Sequence, residues 1–313
     1  MKSGVLTRAV AVTALAACLL SGASTGVAAA APSSPTASSS PDPDACRMDQ
    51  ADADWLAGAL QAWELTRFKT LRLDPAEPPT LVVFDASCVW RGKLGKAAMT
   101  AGRHDGVIPL PGGESTPAAV VAFAAPDRKE HSAYVVMALP SVWRQAGVGS
   151  PLGLETLMTS VFVHEATHTR QFDAFAPRMS RLAKRWRLSR DLADDAVQAR
   201  FGQDAYYVRA YRPEVELLYQ AALEPDTARA RALARQALDL AAKRRAHFFT
   251  GVDRRYLEIE DAFLTLEGIG AFASWRWLTD PQGGAKDPPT ALADVRRGGA
   301  RWSQDEEIGR AHV

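Results

Sequence analysis

Cysteine is scarce in this chain, with three in 313 residues and no CxxC pair, so a thiolate metal site is not expected. Charge of one sign is lacking too. A net charge of +1 gives no reason to expect nucleic acid or an anionic membrane as a bulk partner. The apolar run at residues 9–20 is shorter than the roughly 20 residues that a membrane-spanning helix needs, so no membrane span is expected. No internal repeat is present. What remains is ordinary for a globular protein: 47% hydrophobic and 23% charged residues. The length allows one large domain or two small ones.

The first 31 residues read as a secretory signal peptide. Lys2 and Arg8 supply the positive start, residues 9–20 the apolar stretch, and Ala28-Ala29-Ala30 a small-residue cleavage site. The expected location is therefore secreted or extracellular. Leu15-Ala16-Ala17-Cys18 also resembles a lipobox, which makes a membrane-anchored lipoprotein lipidated at Cys18 the alternative. Leu19-Leu20, however, carries the apolar run past that cysteine. Residues 32–45 are Ser, Pro and Ala with almost nothing large to bury, and read as a disordered spacer. With the signal removed, Cys46 and Cys88 are left, and in an oxidising compartment such a pair is most simply a disulfide. The other reading is two free thiols.

The periodicity predicts an α+β protein: a single domain over residues 46–280, with a small mixed β-sheet in the N-terminal half and a mainly helical C-terminal half. A helix is expected over 49–69, with Trp55, Leu56, Leu60, Trp63, Leu65 and Phe68 at helical spacing. Strands are expected at 81–84, 119–123 and 133–137, with a loop over 103–117. Helices follow at 159–172, 178–201, 204–223 (broken or kinked at Pro213), 227–249 and 254–277. Residues 281–313 read as a polar tail. Its last six, Ile308 to Val313, look like translated sequencing adapter, so the natural chain is expected to continue past about residue 307.

The chemistry centres on His164-Glu165-Ala166-Thr167-His168, an HExxH pattern preceded by the apolar residues Val161, Phe162 and Val163. On a helix, a four-residue step turns about 400°, which places both imidazoles on one face. Two neutral histidines so placed can share one Zn²⁺, with Glu165 beside the open position. A third ligand is required, and the HExxHxxGxxH extension does not supply it, because Gln171 and Ala174 stand at its Gly and His positions. The strongest candidate is Glu267. It is a carboxylate among Phe263, Leu264, Leu266, Ile269 and Phe272, where an unpaired charge would be costly. Gly268 and Gly270 follow it, and their expected use is close approach of another backbone or of the active-site helix. A salt bridge to an arginine is the structural reading of Glu267. Glu216 is the alternative ligand, and Glu260 a carboxylate that would hold a ligand in place; the expected role of both is otherwise pairing with arginines. His104 and His131 read as surface residues.

An HExxH helix followed about a hundred residues later by Glu-Gly on a second apolar helix resembles the zincin-like metallopeptidases of the Glu-ligand (gluzincin) type, in particular uncharacterised secreted bacterial members. The resemblance covers roughly residues 133–277. It implies one Zn²⁺ held by His164, His168 and Glu267, with Glu165 as general base hydrolysing a peptide or protein substrate. It also implies that the strand before the active-site helix lies at the sheet edge, where an extended substrate pairs with it. Two departures stand out: Ala271 occupies the place of the acidic residue in the ExxxD continuation, and no motif marks the oxyanion donor. Tyr206, Tyr207, Tyr211, Arg212 and His247 are the candidates for that role, and spacing does not choose among them. The competing functional class is a non-catalytic exported binding or regulatory protein on the same scaffold. A third reading is a helical envelope protein in which the motif is fortuitous.

Overall fold

The computed structural model describes residues 46–300 apart from 75, 97, 128–129, 131 and 189–195, and the side chains of 296–300 are left aside. The expectations for the signal peptide, Cys18, the spacer, His131 and the adapter-like end therefore lie outside the described residues.

Helix α1 (Gln50–Leu65) starts at Asp49, whose carboxylate accepts from the Ala51 N–H at 2.9 Å and satisfies one of the free donors of the first turn. Trp55, Leu56, Ala59 and Trp63 recur on one face and are buried. The helix runs on into a π-helical turn, Thr66–Thr70. Just ahead of α1, Cys46 is disulfide-bonded to Cys88, with Cα atoms 5.6 Å apart.

Strands β1 (Thr80–Phe84), β2 (Cys88–Lys93) and β3 (Met99–Arg103) form an antiparallel run. The stretch 103–117, expected as a loop, contains the small hairpin β4 (Val107–Pro109) and β5 (Ser115–Pro117), anchored by the fully buried Ile108. Strands β6 (Ala122–Asp127) and β7 (Ser132–Ala138) complete a five-stranded mixed sheet in the order β3-β2-β1-β7-β6, with β1 and β7 parallel. Residues 81–84 and 133–138 are buried without a gap. Neighbouring strand residues point to opposite faces, so both faces of the sheet centre are covered.

Two expectations need correction here. The third strand begins at Ala122, not at residue 119, and continues through Pro126, a residue that only an edge strand tolerates well. The strand nearest in sequence to the HExxH helix, β7, is interior, because β6 pairs along its outer side. The edge therefore belongs to β6.

The rest is helical. After α2 (Pro140–Gln145), helix α3 (Leu154–His168) begins at Gly153, whose φ of 91° suits glycine and few others. Asp52 on α1 accepts from the Ser141 N–H at 3.0 Å, and Arg144 reaches Glu155 on α3 at 2.9 Å. Trp55 donates its indole N–H to Thr159 Oγ1 at 3.1 Å, so α3 is held against α1 and α2. A single helix over 178–201 is not what forms. Helix α4 (Phe172–Trp186) stops where Arg187 turns left-handed at φ 50°, and α5 (Ala196–Phe201) follows as a separate piece. Helices α6 (Ala205–Leu223) and α7 (Thr227–Phe248) then pair, and α6 continues through Pro213 unbroken. Helix α8 (Tyr256–Thr279) is buried on most sides. The supposed polar tail is also corrected: α9 (Pro288–Ala300) buries Ala291 and Val295 in a cluster that includes Val163 of α3 and Ala273, Trp277 and Leu278 of α8, and Leu292 in a second cluster with Ile259, Phe263 and Leu264 of α8.

Candidate metal centre

Helix α3 is apolar nearly all round, with Met158, Val161, Phe162, Val163 and Ala166 buried, as a helix packed on several sides must be. Its C-terminal turn meets the middle of α8. The two helices come close because the residues between them are small. Ser274 donates to the Ser160 carbonyl at 2.7 Å, and Gly270 faces the His164 ring, where an added Cβ would lie 2.8 Å from Cε1. The expectation that a glycine next to Glu267 permits close approach of the HExxH helix is met at Gly270.

Across this contact His164, His168 and Glu267 converge. His164 Nε2 is 3.1 Å from Glu267 Oε2, the two Nε2 atoms are 2.8 Å apart, and His168 Nε2 is 3.6 Å from the same Oε2. Two ring nitrogens at that distance cannot both carry a hydrogen in the gap between them, so at least one presents its lone pair. Tetrahedral coordination at about 2.0–2.1 Å sets donor atoms about 3.3–3.4 Å apart, and the three observed sides straddle that value. The point equidistant from the three atoms in their own plane is about 1.9 Å from each, so a centre slightly off the plane reaches zinc–ligand distance. Glu267 Oε1 is buried and has no hydrogen-bond partner, an unusual state for a carboxylate oxygen unless a cation takes it up. The donor set therefore fits a Zn²⁺ ion.

The electrostatics agree. Burial opposes a charge on His168, but the Glu267 carboxylate, helped by Glu165 and Gln171, outweighs it and pushes the pKa up to about 9. Burial alone would raise Glu267, and the two imidazoles instead hold it well below the usual carboxylate range. Glu267 is thus held as an ionised carboxylate at this point. Glu165, the next residue to His164, is fully buried.

Gln171, one turn past His168, was noted in the sequence only as a departure from a longer motif. Its Oε1 lies 2.9 Å from His168 Nδ1, and its Nε2 lies 3.4 and 3.3 Å from the Thr265 and Leu266 carbonyls of α8. A polar side chain at i+3 from a motif histidine was the only signal available, and it is a weak one.

The other candidates are placed elsewhere. Among the described residues, the group able to hold a metal is His164, His168 and Glu267. Glu260 is bound by Arg244 at 2.8 Å and also by Arg245, and it precedes Glu267 by two helical turns, about 10 Å. The Tyr207 hydroxyl accepts from Arg244 at 2.8 Å. Tyr211 is buried, stacked at 6.3 Å from Tyr207. Glu216 accepts from Gln220 at 3.4 Å, and His247 is exposed against Phe248. Tyr206 is 73% exposed and Arg212 is exposed. His104 closes a turn, 3.1 Å from the Asp85 carbonyl.

No protein-family model, curated protein or solved structure matches the chain, so what can be said of this site rests on its own atoms.

Proposed function

We propose that this protein is a zinc-dependent peptidase of gluzincin-like type, secreted from the cell that makes it. One observation carries the reading: two Nε2 atoms and one carboxylate oxygen, from two helices, share a triangle of 2.8, 3.1 and 3.6 Å. The intramolecular disulfide and the lack of any described helix long and apolar enough to cross a membrane are compatible with export.

His164, His168 and Glu267 would hold the ion. Bound there, Zn²⁺ supplies Lewis acidity, acidifying water and polarising a carbonyl oxygen. The chain supplies the proton traffic. Glu165, buried beside His164, takes a proton from the attacking water and returns it to the departing amine. Strand β6 is terminal in the sheet and packs near α3, and an extended peptide can pair with such an edge as an added strand.

A second reading is a metal-binding protein without catalysis. The buried hydroxyl of Tyr207 is committed to Arg244, so this oxyanion candidate is engaged elsewhere. The test is metal content and hydrolysis of a peptide library by wild type and Glu165→Gln. The peptidase reading expects one zinc per chain in both, and cleavage that falls at least 10³-fold in the variant. Zinc in both with equal inertness supports the binding reading, and a zinc-free wild type overturns both.

A further inference from the structure

We propose that Gln171 is the positioning residue of this centre, one amide that orients His168 and ties it to the segment of α8 carrying Glu267. The inference rests on the metal-binding reading and extends it to a residue outside the donor set.

Hydrogen-bond polarity fixes which way the Gln171 amide faces. The Thr265 and Leu266 carbonyls can only accept, so the group of Gln171 facing them, at 3.4 and 3.3 Å, must be its NH₂. Its carbonyl oxygen then faces His168 Nδ1 at 2.9 Å. An acceptor there requires Nδ1 to carry the hydrogen, and a neutral imidazole protonated at Nδ1 has a bare Nε2. That is the nitrogen lying 2.8 Å from His164 Nε2 and 3.6 Å from Glu267 Oε2. Two backbone carbonyls of α8 thus select the tautomer of a histidine on α3.

The residue type is specified by this role. A carboxylate would accept from Nδ1 but would turn its second oxygen against two carbonyls. A methyl-ended side chain would do neither job. Gln171 is itself held: its N–H donates to the His168 carbonyl at 2.9 Å, and its carbonyl accepts from the Phe175 N–H at 2.8 Å. The side chain therefore starts from a fixed backbone at the junction of α3 and α4. Because Leu266 directly precedes Glu267, the same amide limits movement of the third donor relative to the first two.

The experiment compares wild type with Gln171→Met by chelator competition for Zn²⁺, by the visible absorption of the Co²⁺ form, and by melting of the metal-free protein. Loss of a group that orients a ligand histidine typically costs 10–100-fold in metal affinity. We expect that loss, together with an altered Co²⁺ band. A change in apo melting alone, with wild-type affinity and Co²⁺ spectrum, would show a merely structural residue and overturn the proposal. Should the variant not fold, ¹⁵N spectra of zinc-loaded wild type decide: a protonated Nδ1 on His168 supports the proposal, and an unprotonated Nδ1 refutes it. If wild type takes up neither Zn²⁺ nor Co²⁺, the metal reading itself has failed and this inference falls with it.

Discussion

A methyl group on Gly270 would sit 2.8 Å from Cε1 and 2.9 Å from Nδ1 of His164. The imidazole occupies the space that a side chain on α8 would need.

Gly270→Ala is expected to displace that ring and lower zinc affinity by at least tenfold. Helicity should survive, since alanine favours a helix interior over glycine by about 1 kcal/mol. Titration with zinc alongside circular dichroism checks both halves, and unchanged affinity in a folded variant contradicts the packing described.

Arg244 lies at the centre of a second buried set of charges. It bonds Glu214 at 2.8 Å and Glu260 at 2.8 Å, with all three side chains almost wholly buried. Burial lifts Glu214 to about 7 even against the pull of Arg244. Removing one member of such a set strands the others, at a cost of about 3–5 kcal/mol. Arg244→Met should therefore shift the urea midpoint strongly, and the triple change with Glu214→Gln and Glu260→Gln should recover part of the loss. A single variant as stable as wild type argues against the cluster's contribution.

Lys69 and Asp280 give a pH-dependent contribution of known sign. Lys69 Nζ is 2.6 Å from Asp280 Oδ2, and the Gln282 N–H donates to Oδ1 at 2.9 Å. These bonds, the lysine's first, lower the Asp280 pKa from its ordinary value near 3.8. A carboxyl with a depressed folded-state pKa stabilises fully above its unfolded pKa, and that stabilisation fades as pH falls through the folded value. Lys69 is half exposed, which limits the pair to about 0.5–1 kcal/mol. The stability difference between wild type and Asp280→Asn should be near that size at pH 6 and diminish once the pH falls below about 3.8 and on through the folded-state value. A difference that grows on acidification reverses the sign argued here.

The parts of this molecule legible in its sequence are those set by local spacing. Two histidines four apart behind an apolar run specified a buried helix and the face they share. Glu267 was legible because a carboxylate among Phe263, Leu264 and Leu266 needs a partner, and Gly270 because nothing in a helix calls for glycine without a neighbour. The parts missed depend on distant or weak signals. Gln171 acts through carbonyls 94 and 95 residues away. The end of α4 depends on one left-handed residue, Arg187. Strand β3 has no fully buried residue, so its alternation is faint. In α9 the few buried residues, Ala291, Leu292 and Val295, were masked by the arginines and glycines around them.

The chain visits the centre twice. His164 and Glu267 are separated by 103 residues, and everything from α4 to α7 is made in between. At about 5–20 residues per second, translation takes about 5–20 s to pass from one donor to the next. Throughout that interval the histidine pair exists without its carboxylate, and Gln171 without the carbonyls that orient it. The three donors are thus complete only after the intervening helices have been synthesised.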